Sequence, residues 1–94
     1  MTKNIVRVIP TPKFEKLLDK APRAIKRAYR QRLVLFLFDP FHPLLHNHLL
    51  TGNYKGYRSI NVTGNWRILY KEIPDDKQII VEFHLFGTHS QLYR

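Results

Sequence analysis

The chain begins in short alternation, passes into helical spacing, and returns to alternation in its second half. "NIVRVI", residues 4–9, is a β-branched run that predicts a strand, and "PTP" ends it. Thr11 is placed to cap a helix, with Pro12 at the first helical position, where its missing N–H costs nothing. Phe14, Leu17, Leu18 and Ala21 then follow at helical spacing, which predicts a short amphipathic helix over 12–20. Pro22 restarts the chain, and a second, longer helix runs to Phe38, where Asp39-Pro40 stops it. The first half of that helix, "RAIKRAYRQR", carries five cations and no anion. Its second half, "LVLFLF", is apolar all round, which predicts burial on more than one side. Residues 39–56, "DPFHPLLHNHLLTGNYKG", show no period. They form a connection longer than a mere link requires, and such loops are often functional.

Three strand signals close the chain: "YRSINV", "WRILYKEI" after "TGN", and "QIIVEFHLF" after "PDDK". A two-residue loop at Thr63-Gly64 would pair Asn61 with Trp66 and mix polar and apolar residues on both faces. A three-residue loop, with Asn65 or Gly64 in the left-handed region, pairs Val62 with Trp66 instead. That register gathers Ile60, Val62, Trp66, Ile68 and Tyr70 on one face. Tyr57, Ser59, Asn61, Arg67, Leu69 and Lys71 take the other, and burial selects this cleaner division. The order strand, helix, helix, strand, strand, strand predicts an α+β fold. Two N-terminal helices pack on one face of a small, mainly antiparallel sheet, and the other face is left uncovered toward solvent or a ligand.

Length sets the scale: 94 residues make one domain spanning 1–94, able to bury roughly two-thirds of its unfolded surface. No apolar run approaches the ~18 residues of a membrane span, and "MTKNIVRVIP" has no signal-peptide core, so a cytoplasmic address is expected. Without cysteine, disulfides and Cys-ligated zinc are excluded. Charge changes the picture most. Sixteen Lys and Arg against seven acids leave a net +9, which draws the domain toward polyanions or an acidic partner.

No Gly-rich phosphate loop is present, and Asp75-Asp76 reads as a solvated hairpin turn. His42, His46 and His48 cluster in the long loop, but no acid or Cys completes a metal set. His84 falls inside the last strand. His89 lies past it, in a loop after Gly87, free to present a nitrogen. Arg67 and Lys71, flanked by Lys55 and Arg58, form a candidate phosphate cradle, since the Arg fork binds phosphate oxygens bidentately. Trp66 reads either as core or as a base-stacking platform, and Tyr93 fits stacking better than core. These groups suit one reaction. RNA carries its own nucleophile, the 2′-OH. Its cleavage needs a base, cations for the charge developing on phosphorus, and an acid for the leaving 5′ oxygen. Histidine can supply either proton transfer near neutral pH.

The stretch 48–72, which contains "LTGNYKGYRSINVTGNWRILYKE", together with "GTHSQLY" at 87–93, resembles the RelE/ParE superfamily of bacterial toxins, most closely its YafQ-like branch. The order of elements agrees with that superfamily over the whole chain. The resemblance implies the toxin of a type II toxin–antitoxin pair: an endoribonuclease that cuts mRNA in the ribosomal A site. A cognate antitoxin would neutralise it, and operator DNA would be met only through that antitoxin. No metal or organic cofactor and no membrane partner are implied. Residue by residue, the resemblance implies His89 as general acid and Tyr93 as a wall of the site. It implies Arg67 as the arginine that stabilises the phosphate, Arg58 and Trp66 as further substrate contacts, and His48 as a second catalytic histidine. Asn61 and Asn65 stand where that branch has a histidine and an aspartate. Asparagine can hydrogen-bond but cannot take a proton as a base, so the base is His48, ribosomal RNA or water. Two other readings stand beside this one: a non-enzymatic ParE-like inhibitor of DNA gyrase, and an RNA-binding module without toxicity.

Overall fold

A computed structural model describes residues 5–93. The elements are β1 (Arg7–Pro10), α1 (Pro12–Asp19), α2 (Arg23–Phe38), β2 (His48–Leu49), β3 (Arg58–Asn61), β4 (Trp66–Ile73), β5 (Ile80–Thr88) and α3 (His89–Leu92). They form an α+β fold with one five-stranded sheet in the order β1-β5-β4-β3-β2, with only the β1–β5 pair parallel. The two long strands, β4 and β5, are therefore interior, and the short β1 and β2 are the edges. Short edge strands offer little unpaired backbone for a stray chain to join.

The local signals are realised in detail. The Thr11 hydroxyl accepts from the Phe14 N–H at 3.2 Å and donates to the Phe83 carbonyl at 3.0 Å. One side chain thus caps α1 and ties it to β5. The hairpin adopts the three-residue loop, with Val62 N–H donating to the Trp66 carbonyl at 2.8 Å and Ile60 opposite Ile68. No left-handed residue makes the turn, contrary to the sequence expectation. Instead the Thr63 hydroxyl accepts from the N–H groups of Asn65 (3.3 Å) and Trp66 (3.1 Å), so a side chain supplies the turn's bonds.

Both helices lie on one face of the sheet, here the inner face. Phe14, Phe36, Ile60, Val62, Ile68, Tyr70, Val81, Phe83 and Phe86 are buried there. Phe83 and Phe86 are three residues apart, so a regular strand would send them to opposite faces. Leu69 pairs with Leu85 but Tyr70 pairs with Phe83, which makes His84 an extra residue, a β-bulge. The bulge returns Phe83 to the inner face, where it meets Phe14 (5.2 Å between ring centroids) and Phe36 (5.6 Å). Tyr29 packs on Phe14 and Phe86. Its burial, with a smaller contribution from Glu15, pushes its hydroxyl up to about 12, so it is neutral in the folded protein.

Three expectations are corrected. The first strand begins at Arg7; the Val6 N–H bonds to the Leu37 carbonyl, and residue 4 lies outside the described residues. The apolar half of α2 is buried on one side only, because a single sheet lies beneath the helices; Val34 and Phe38 remain exposed. The 39–56 connection is not one open loop, because it holds 3-10 turns at Pro43–Leu45 and Gly52–Tyr54 and the edge strand β2. Among the described residues, no helix is long and apolar enough to cross a membrane.

Candidate functional site

The opposite, outer face of the sheet carries Ser59 and Asn61 of β3, Arg67, Leu69 and Lys71 of β4, and Leu85 and Gly87 of β5. His48 pairs with Ser59 at the β2 edge. This face was expected to be uncovered, yet Ser59 and Leu69 are both 0% exposed. The cover is aromatic. Gly52 (φ 68°) and Gly56 (φ 95°), in a backbone conformation that favours glycine, bracket Tyr54 and turn the chain around it. From there a run of ring contacts crosses the face: His84–Tyr57 at 5.5 Å, Tyr57–Tyr54 at 6.0 Å, Tyr54–Tyr93 at 5.6 Å and Tyr93–His89 at 4.8 Å. Lys71 Nζ sits 4.5 Å over the Tyr57 ring. Tyr54 and Tyr57 were not among the sequence candidates, because their partners lie far along the chain.

His89 is not in a loop. It opens α3, a single turn whose start is fixed by a capping box. The Thr88 hydroxyl accepts from the Gln91 N–H (3.2 Å), and the Gln91 side chain accepts from the Thr88 N–H (2.9 Å). The His89 N–H donates to the Asn65 carbonyl at 2.9 Å, so Asn65 braces the histidine from the β3–β4 turn. Gly87 makes room for the turn to fold back, since a Cβ there would stand 2.9 Å from the Gln91 Oε1. Gly87→Ala is therefore expected to push Gln91 out of the capping box, at a cost of about 1 kcal/mol to α3. Amide exchange at Gln91 and Tyr93 should quicken about fivefold while the β4 and β5 amides keep their protection. Unchanged exchange at Tyr93 would show that the capping box does not hold the turn.

Beside this turn, Arg67 stands across from Gly87 and pairs with Asn61. Its Nη2 reaches the Gly64 carbonyl at 3.4 Å. Arg67 Nε, Asn61 Oδ1 and Tyr93 Oη are enclosed without a hydrogen-bond partner among the described residues. Unmet polar atoms of this kind are costly in a core, and each calls for a partner such as an ordered water, an ion or a polar ligand. His48 stands on β2, three strands from β5 and roughly 14 Å away across the sheet at the usual strand spacing. Its Nδ1 lies 2.9 Å from the His46 carbonyl, which can only accept. In the neutral ring Nδ1 therefore holds the proton and Nε2 the lone pair.

The remaining candidates divide. Lys71 joins the aromatic cover, and Lys55 is exposed just past the 3-10 turn. Arg58 does not flank Arg67. It shares the inner-face parity of Ile60, bonds Glu72 (3.0 Å) and Asn47 (3.4 Å), and lies over the Phe41 ring at 5.3 Å. Trp66 also turns inward and packs on Phe86 at 5.4 Å, so its core reading is the one realised. Asn47 donates to the Tyr70 hydroxyl at 2.8 Å. Burial raises the pKa of that hydroxyl against the lowering by Asn47 and Arg58, so Tyr70 is no base. Of the loop histidines, His42 caps the turn at Pro43–Leu45 by accepting from the Leu44 N–H. Among the described residues, no group of three or more His, Asp or Glu could hold a metal ion.

The family model for the bacterial toxin of the YafQ type II toxin–antitoxin system matches residues 7–94. The chain belongs to the YafQ toxin family. The YafQ fold is also seen in solved structures. YafQ from Escherichia coli strain BL21(DE3) is 23% identical with a TM-score of 0.68, over 93% of this chain and 97% of that one. YafQ in the E. coli DinJ–YafQ toxin–antitoxin complex is 22% identical with a TM-score of 0.66, over 99% and 100%. A chain of the RelBE2 toxin–antitoxin complex of Mycobacterium tuberculosis is 26% identical with a TM-score of 0.62, over 96% and 95%. This YafQ-family chain is thus a toxin of a type II toxin–antitoxin system. Comparison with curated protein sequences gives no match.

Proposed function

We propose that this YafQ-family toxin is a ribosome-dependent endoribonuclease that cuts translated mRNA by attack of a 2′-OH on the adjoining phosphate. The observation that carries this reading is that His89, its ring 4.8 Å from that of Tyr93, lies two residues past the Gly87 that faces Arg67, and that Arg67 Nε and Asn61 Oδ1 have no hydrogen-bond partner among the described residues. The 2′-OH gives its proton to a base supplied by His48, by water or by ribosomal RNA. The 2′ oxygen bonds to phosphorus, Arg67 bears the charge that develops on the phosphoryl oxygens, and the bond to the 5′ oxygen breaks. His89 delivers a proton to that oxygen, leaving a 2′,3′-cyclic phosphate and a 5′-OH end. Asn61 donates or accepts a hydrogen bond without taking a proton.

The exposed cations Arg23, Arg27 and Arg30 of α2 supply an electrostatic surface for ribosomal RNA, and the net charge of +9 favours capture by so large a polyanion. The cognate antitoxin, in this reading, neutralises the toxin by direct contact, as expected of a chain whose relatives are seen in DinJ–YafQ and RelBE2 complexes. The test is primer extension on mRNA incubated with the protein, with and without programmed ribosomes, beside a gyrase supercoiling assay. Cleavage confined to the ribosome-containing reactions is expected, with supercoiling unaffected. Intact mRNA with arrested supercoiling would transfer the protein to the gyrase-inhibiting class.

A further inference from the structure

Tyr54 has no part in the mechanism above, yet it makes two contacts with the segment that carries His89. Its hydroxyl donates to the Leu92 carbonyl at 2.6 Å, the short end of the range for O–H···O bonds. Its ring meets Tyr93 edge-on, 5.6 Å between centroids and 88° between planes, and Tyr93 in turn lies 4.8 Å from the His89 ring. These contacts matter because of what α3 is. A helix of one turn does not hold its own shape in water, since nucleation costs more than one hydrogen bond returns. The start of α3 is fixed by the Thr88–Gln91 capping box and by Asn65. At its end, the Tyr93 N–H bonds to the His89 carbonyl, and Tyr54 holds the carbonyl of Leu92 where the chain departs toward Tyr93.

We propose that Tyr54 is a positioning residue for His89: through the Leu92 carbonyl and the Tyr93 ring, it sets where the imidazole delivers its proton. Tyr54 reaches this place from a turn bracketed by two left-handed glycines, 38 residues before the bond it makes. The turn and the tail thus form one unit in which the hydroxyl fixes the backbone and the ring fixes the Tyr93 ring. The inference rests on the reading of His89 as the general acid, and the experiment separates the two.

Tyr54→Phe removes the hydroxyl and keeps the ring. Amide exchange and the His89 ring resonances are measured first, on the protein alone. Exchange at the Tyr93 N–H is expected to rise about tenfold and the His89 resonances to shift, while the amides of Ile68 and Phe83 keep their protection. An unmoved His89 with unchanged exchange at Tyr93 overturns the proposal whatever the activity. Single-turnover cleavage on programmed ribosomes then compares an ordinary mRNA with one whose scissile 5′ oxygen is replaced by sulfur. A thiolate leaves without a proton, so this substrate needs no acid. Y54F is expected to be about tenfold slow on the oxygen substrate and within about twofold of the parent on the sulfur substrate. His89→Ala is the control. If H89A stays slow on sulfur, the acid assignment fails, and Y54F positioning an acid fails with it. If H89A recovers on sulfur but Y54F does not, His89 keeps its role and Tyr54 loses the one proposed.

Discussion

Cells expressing His89→Ala are expected to grow where the parent toxin arrests them, with the variant still folded. The imidazole is exposed, so its removal opens no cavity in the core. The backbone N–H at 89 still donates to the Asn65 carbonyl, and the Thr88–Gln91 capping box does not involve the side chain that is lost. On the proposed role, what disappears is the proton for the leaving oxygen. A positioned acid typically contributes 10²–10⁴-fold, or about 3–5 kcal/mol of barrier. Single-turnover cleavage on programmed ribosomes should fall by that factor, while the melting temperature moves by only a degree or two. Toxicity equal to the parent's from a folded variant would remove His89 from the acid role. Loss of toxicity together with loss of fold would instead make the residue structural.

The hairpin was legible in the sequence because burial leaves one good register. Only pairing Val62 with Trp66 gathers Ile60, Ile68 and Tyr70 on the same side, and those residues are 1–2% exposed. The same parity carried information about Arg58, which shares its face with Ile60 and so could not stand beside Arg67. Proximity along the chain suggested Arg58 as a flank of the phosphate cradle, and the pleat puts it on the other face. Other features gave weaker signals. Two residues of β2 and four of α3 are too short for any period to register. For α3 one sign was readable all the same: T-x-x-Q at Thr88–Gln91 is a capping-box pattern. The aromatic cover had no local sign, because Tyr54 is ordered by Leu92 and Tyr93, and only tertiary contact reveals that.

The two sheet faces differ in kind. The inner face is filled with rings and branched chains that form the core. The outer face holds enclosed polar atoms that lack partners among the described residues, under a thin layer of three tyrosines and a one-turn helix. A site built this way loses order easily in its cover without endangering the fold. The tests of Tyr54 and Gly87 accordingly look for local loosening, and the sharpest contrast to them lies on the inner face.

Phe83→Ala should be the most destabilising substitution considered. Phe83 is 0% exposed and packs against Phe14, Phe36 and Tyr70, with ring centroids 5.2, 5.6 and 6.1 Å away. It thus joins α1, α2 and β4 at one point. Its carbonyl also receives the Thr11 N–H and hydroxyl, each at 3.0 Å, and those bonds survive the substitution because they belong to the backbone. The loss is therefore one of packing. Truncating a buried phenylalanine costs about 3–5 kcal/mol, against a total of about 5–15 kcal/mol for a typical domain. In urea the midpoint should fall by about 2 M with the slope unchanged. Trp66, the only tryptophan, stacks on Phe86 and reports the transition by its fluorescence. The bulge at His84 is what brings Phe83 to this position, so a loss below about 1 kcal/mol would mean that the bulge does not seat Phe83 in the core. A loss of the expected size, with the remaining folded fraction still cutting mRNA at the parental rate, would confirm that the inner face sustains the fold and the outer face the chemistry.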